Sequence, residues 1–135
     1  MNRIEQYQAM LADEGYRPTL DEDGDLVFKV EGESYILWSD PNDEDYMRFV
    51  TMYLLDDETD ANRALALASF MNYRMKAVKF TVLGGGKSAA FSIEAFYGES
   101  EHFRPFISRV LKALKAGSDE YFAKLRSGEP LDEIE

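Results

Sequence analysis

Apolar positions along the chain follow two spacings, and the switches between them mark out the elements. Ile4, Tyr7 and Leu11, with Met10 beside them, recur at helical intervals over residues 2–14, which predicts a short amphipathic helix closed by Gly15. Pro18 then biases the chain toward extended geometry, and Tyr16 and Leu20 flank a brief strand-like entry. From Leu26 the spacing shortens to two, with Leu26, Phe28 and Val30 on one face and Val27, Lys29 and Glu31 on the other. Glu31, Gly32 and Glu33 predict a tight turn into a second strand, Ser34 to Ser39. The acidic run DPNDED leads into a third, Tyr46 to Leu55, which is apolar on both faces from Val50 and therefore central. These three strands form an antiparallel meander.

Asp56 to Asp60 supply N-caps and negative charge for a helix running to about Arg74. Its apolar residues extend more than halfway round: Leu65, Ala68 and Ala61 on one side, Ala64, Leu67, Phe70 and Met71 toward the other. Such a helix is covered on two sides, one by the sheet and the other by the carboxy-terminal helix or a second subunit. A hairpin follows. Val78, Phe80 and Val82 share a face with Phe91, Ile93 and Ala95, while Lys79, Thr81, Ser92 and Glu94 fall on the opposite face. The glycines between them allow the positive φ that a tight turn demands. The last helix carries Phe103, Phe106, Ile107, Val110, Leu111 and Leu114 as an apolar stripe. Gly117 and Ser118 are expected to interrupt it before Tyr121, Phe122 and Leu125 resume the stripe. The fold class is α+β: helix, three-stranded antiparallel meander, helix, β-hairpin, helix, with the helices packed on an antiparallel sheet. Residues 1–126 are expected to form one domain and residues 127–135 a flexible acidic tail.

Charge narrows the partners. Residues 1–60 hold 17 Asp and Glu against four Lys and Arg, a net of −13, while residues 61–135 carry +2. A field of that sign repels phosphates, so nucleic acid and anionic membranes are excluded as natural partners. The absence of cysteine removes disulfides, thiolate metal sites and a cysteine nucleophile. No run reaches the ~20 apolar residues of a membrane span, and the amino terminus lacks the apolar core of a signal peptide. A cytoplasmic protein is the expectation.

Motifs that suggest catalysis fail their own requirements. The GGGKS at residues 84–88 invites a phosphate loop, but Thr81 stands where the first glycine belongs, and AAFSIEAFY after it is patterned as a strand rather than a helix. Residues 21–25, DEDGD, suggest a calcium loop. Placing Gly24 at the turn position, however, puts Thr19 and Val30 where carboxylates are needed. His102 is the sole histidine, so a zinc site or a serine triad would lack its usual members. No catalytic residue, cofactor site or metal site is assigned.

The element order and the stretches GYRPTLDEDGDLVFKVEGESYILWSDPNDEDYMRF and ANRALALASFMNYRMKAVKFTV resemble the YbjN-type family, which shares a fold with the class I type III secretion chaperones. The resemblance covers roughly residues 15–125, with Asn62, Asn72, Val78 and Phe80 in places comparable to the family's recurring segment. It implies a non-enzymatic protein, chaperone-like or regulatory and dimeric in the chaperone branch, that holds a partner polypeptide along apolar patches. The residues offered as partner or dimer contacts are Leu67, Phe70, Met71, Lys79, Thr81, Ser92 and Glu94. The alternative is a small-ligand or metal-binding protein using the acidic turns or the sheet's second face.

Overall fold

The computed structural model describes residues 1–131. The elements run α1 (Arg3–Asp13), β1 (Thr19–Leu20), β2 (Leu26–Val30), β3 (Glu33–Trp38), β4 (Tyr46–Leu54), α2 (Ala61–Arg74), β5 (Lys79–Leu83), β6 (Ser88–Phe96), a short α3 (Ser100–Phe103) with a 3-10 turn at Arg104–Phe106, and α4 (Ile107–Ser127). Six strands form one antiparallel sheet in the order β1-β2-β3-β4-β6-β5. The α+β class and the order of helices and strands are those predicted, with the strand-like entry around Leu20 realised as β1. The acidic tail expected from residue 127 begins at the last residue of α4, and residues 132–135 lie outside the described residues. Internal contacts gather into two units, Met1–Thr51 with Ile93–Val110, and Met52–Ser92 with the chain from Leu111 on.

In the first unit the Asn2 side chain caps α1 by accepting from the Glu5 amide at 2.9 Å, and Tyr7, Met10 and Leu11 are buried. The β2–β3 hairpin turns through Glu31 (φ 51°) and Gly32 (φ 84°) and sets Val30 opposite Glu33. That register puts Leu26 and Phe28 with Tyr35 and Leu37 on the buried face. Phe28 meets Phe49 of β4 edge-on at 6.1 Å, Phe49 stacks on Phe103 at 5.2 Å, and Tyr7 lies 6.1 Å from the same ring. These rings make one aromatic core between sheet and helices. Burial, more than any charge, pushes the Tyr7 hydroxyl up to about 12.

In the second unit Asp60 caps α2, its carboxylate accepting from the Asn62 amide at 2.9 Å. The β5–β6 hairpin holds Phe80 opposite Phe91 and Leu83 opposite Ser88, closed by Gly84 to Lys87, with the three glycines at φ 62°, 67° and 102°. The GGGKS segment is thus a turn between strands. Gly86 also lies where a Cβ would come within 2.7 Å of the Ala61 Cβ at the start of α2. Tyr121 of α4 is fully buried, packs on Phe80 at 6.1 Å and Phe91 at 5.0 Å, and donates to the Ala64 carbonyl at 3.0 Å. Arg63 donates to the Lys124 carbonyl at 3.0 Å. α2 is therefore covered from within the chain by α4 as well as by β5.

The expected interruption at Gly117 and Ser118 does not occur, since α4 is continuous from Ile107 to Ser127. Ser118 donates back to the Leu114 carbonyl at 2.9 Å, a bond compatible with an unbroken helix. A Cβ on Gly117 would sit 3.0 Å from the Phe80 ring, so this glycine permits close helix–strand approach and is no breaker.

β5 is an edge strand, and its outward backbone is managed by a side chain. The Asn72 amide donates to the Phe80 carbonyl at 3.0 Å and accepts from the Phe80 N–H at 2.7 Å. It reproduces the pair of bonds that another strand would make there.

Candidate functional site

The two faces of the sheet differ in chemistry. In the first unit, the face that carries Phe28 and Phe49 is closed by the aromatic core. The opposite face carries Trp38, Tyr46, Arg48, Glu94 and Phe96. Register sets Trp38 directly across from Arg48, and the guanidinium lies over the indole at 4.1 Å from its centroid. Arg48 Nε also lies 3.3 Å from a Glu94 oxygen, and the second Glu94 oxygen accepts from the Tyr46 hydroxyl at 2.7 Å. Tyr46 then packs on Phe96 at 5.9 Å. Both members of the Arg48–Glu94 pair are about three-quarters buried, so screening is reduced and the network fixes side-chain orientation. Desolvation, then the bond to Glu94, pushes the Tyr46 hydroxyl up to about 12. Around this polar strip the surface is apolar and open: Phe96 is 77% exposed and Trp38 36%.

At the end of β3 this face runs into the acidic loop of residues 39–45. A cleft of about 200 Å³ opens there between Trp38, Tyr46, Arg3, Asp40, Asp43 and Glu44. Arg3 is tied to Asp45 at 3.2 Å. The cleft lining combines the Trp38 and Tyr46 rings and three loop carboxylates with one guanidinium, Arg3, whose charge Asp45 offsets, and the remaining acidic surplus suits positively charged groups.

The residues singled out from sequence separate into three groups. Leu67, Phe70 and Met71 are buried within the chain, while the exposed side of α2 presents Leu65 and Tyr73, at 50% and 61%. Lys79 is exposed and stands opposite Ser92, which is buried, and Thr81 is partly exposed opposite Ala90. Glu94 is engaged by Arg48 and Tyr46 as described. Sequence spacing alone does not mark Trp38, Tyr46, Arg48 and Phe96 as a site. The signal was present in the alternation of Ile36 with Trp38 and of Tyr46 with Arg48, but the cross-strand register that gathers them was not.

Other clusters have local explanations. Asp21, Asp23 and Asp25 bring carboxylate oxygens within 4.8 Å of one another. Asp21 accepts from the amides of Asp23 and Asp25 at 2.9 Å, and Asp25 from the Ser39 amide at 2.7 Å, so the group braces a turn. Arg104 donates to Glu101, Asp13 and Glu14, at 2.8, 2.7 and 3.0 Å, joining the end of α1 to α3. Its bond holds the Glu101 carboxyl below the usual carboxylate range. His102 Nδ1 lies 3.1 Å from the Tyr97 carbonyl. No described helix is long and apolar enough to cross a membrane.

No protein-family model and no curated protein matches the sequence. Solved structures do. An uncharacterized protein from Methanothermobacter thermautotrophicus superimposes with a TM-score of 0.66 at 13% identity, over 91% of this chain and 96% of that chain. YbjN from E. coli, described as a candidate transcription regulator, gives 0.73 at 14%, over 89% of this chain and 91% of that chain. A chain of the HopA1–SchA chaperone–effector complex gives 0.61 at 9%, over 88% and 89%. The chain therefore has the YbjN-type, chaperone-like fold that its sequence resembles. At these identities the likeness speaks for the fold.

Proposed function

We propose that this protein is a non-enzymatic protein-binding module, chaperone-like or regulatory, that holds a partner polypeptide against the Trp38–Phe96 face of its sheet. The carrying observation is that face: exposed aromatic rings around a strip whose charged groups already have partners. Such a surface offers apolar contact area without a buried charge to be left unpaired on binding, the composition of a protein-binding core. The chaperone–effector complex among its structural neighbours agrees with this reading. We propose also that residues 1–126 act as one domain, since β4, β6 and α4 each contribute to both units. Self-association, if it accompanies binding, falls to the exposed Leu65 and Tyr73 of α2, because Leu67, Phe70 and Met71 are occupied inside the chain.

Affinity capture with the full chain as bait tests this. Wild type and Leu65→Ser should retain the same protein, and Trp38→Ser with Phe96→Ser should lose it. A wild type that retains nothing, or face variants that retain as much as wild type, would refute the assignment. Light scattering of wild type against Leu65→Ser reports self-association separately.

A further inference from the structure

The charge is segregated. Residues 1–51 and 93–110, the unit that carries the aromatic face, hold 16 Asp and Glu against six Lys and Arg, a net of −10 out of the chain's −11. Among the described residues Arg3 is paired with Asp45, Arg48 with Glu94, and Arg104 with Glu101, Asp13 and Glu14. The surplus is negative, and part of it stands beside Trp38, because the loop that follows β3 supplies Asp40, Asp43 and Glu44 to the cleft. At about 200 Å³ the cleft is smaller than the ~300–1,000 Å³ of a small-molecule pocket and matches a single long side chain.

We infer that the segment held on this face is cationic: an extended stretch of a partner polypeptide in which apolar side chains alternate with arginine or lysine. One basic side chain enters the cleft between Trp38, Tyr46 and the acidic loop, where Asp40, Asp43 and Glu44 outweigh the single charge of Arg3, itself paired with Asp45, and the neighbouring apolar side chains pack around Phe96. The inference rests on the proposed protein-binding function and adds the chemistry of the partner. Complementary charge steers encounter and selects among partners, and desolvated aromatic contact supplies residence time. A guanidinium between indole and phenol rings gains from both, since ring faces and carboxylates attract the same group. An acidic partner is repelled by the same field.

Trp38 is the only tryptophan, so its fluorescence reports docking on the full chain without a label. The probes are short synthetic peptides alternating valine with arginine, glutamine or glutamate. The arginine peptide should shift the Trp38 emission and bind at least about tenfold more tightly than the glutamine peptide, with the advantage shrinking as salt is raised and the Debye length falls. The glutamate peptide should not bind. The variant Asp40→Asn/Asp43→Asn/Glu44→Gln, altered only in a surface loop, should bind the glutamine peptide as wild type does and lose the arginine preference. Equal binding of arginine and glutamine peptides to wild type would overturn the cationic assignment and leave the docking face standing. An undiminished arginine preference in the loop variant would overturn the placement in the cleft. Failure of all three peptides to bind would refute the face itself.

Discussion

Replacing Gly86 by alanine combines two costs that can be measured apart. Its φ of 102° lies beyond the left-handed basin of L-residues, and the new Cβ would come within 2.7 Å of the Ala61 Cβ and 3.1 Å of the Ala61 Cα. The backbone conformation costs about 1–3 kcal/mol for a residue with a side chain. Contact well inside the ~3.5–4.0 Å carbon–carbon optimum adds overpacking of about 1–3 kcal/mol, because Ala61 begins α2 and can retreat only by moving the helix. The expected loss is about 2–6 kcal/mol, a large fraction of the ~5–15 kcal/mol that a domain of this size has. Gly85→Ala is the control. Its φ is 67° and nothing lies within 4 Å of its Cβ, so only the backbone cost of about 1–2 kcal/mol applies. Urea unfolding followed by circular dichroism gives both values. Adding Ala61→Gly to Gly86→Ala should recover at least about 1 kcal/mol of coupling in a double-mutant cycle, since the Cβ–Cβ contact disappears while the strained φ remains. Equal losses for the two glycines within about 0.5 kcal/mol, together with no coupling, would show that the turn is not wedged against α2.

Two further outcomes follow from the packing. Asn72→Ala removes both bonds to the Phe80 backbone and should cost about 1–3 kcal/mol while raising concentration-dependent association in light scattering, because the β5 edge is then free to pair; an unchanged urea midpoint and a monodisperse sample would contradict the edge-plug role. Tyr7 and Tyr121 are buried with hydroxyls pushed up to about 12 from 10, so the folded state keeps protons that the unfolded chain releases. Their contribution is complete below pH 10 and is lost as pH rises toward 12. It is bounded by about 3 kcal/mol for each residue, so urea midpoints should be flat in this respect up to about pH 9.5 and fall steeply above about 10.5, less so in Tyr121→Phe.

Local pattern determined much of this protein. Strict alternation from Leu26 to Val30, the Glu31–Gly32 turn and the glycine turn before Lys87 each carry their own stereochemical reason and form where the pattern predicts, and the Asp56–Asp60 run predicts a cap that the structure assigns to Asp60. The same local logic separated GGGKS from a phosphate loop, because the residues after it alternate like a strand. Tertiary structure decided what periodicity leaves open. Gly117 has the same conformational freedom in any context, and only the Phe80 ring lying against it makes it a contact surface within a continuous helix. Leu67, Phe70 and Met71 belong to a helix with apolar residues on more than one side, and only the placement of α4 and β5 shows that they are internal while Leu65 and Tyr73 face outward. The candidate site is the clearest case. Trp38, Arg48 and Glu94 lie on three different strands, and what joins them is cross-strand register, a property of pairing over long sequence separations that no single strand's alternation contains.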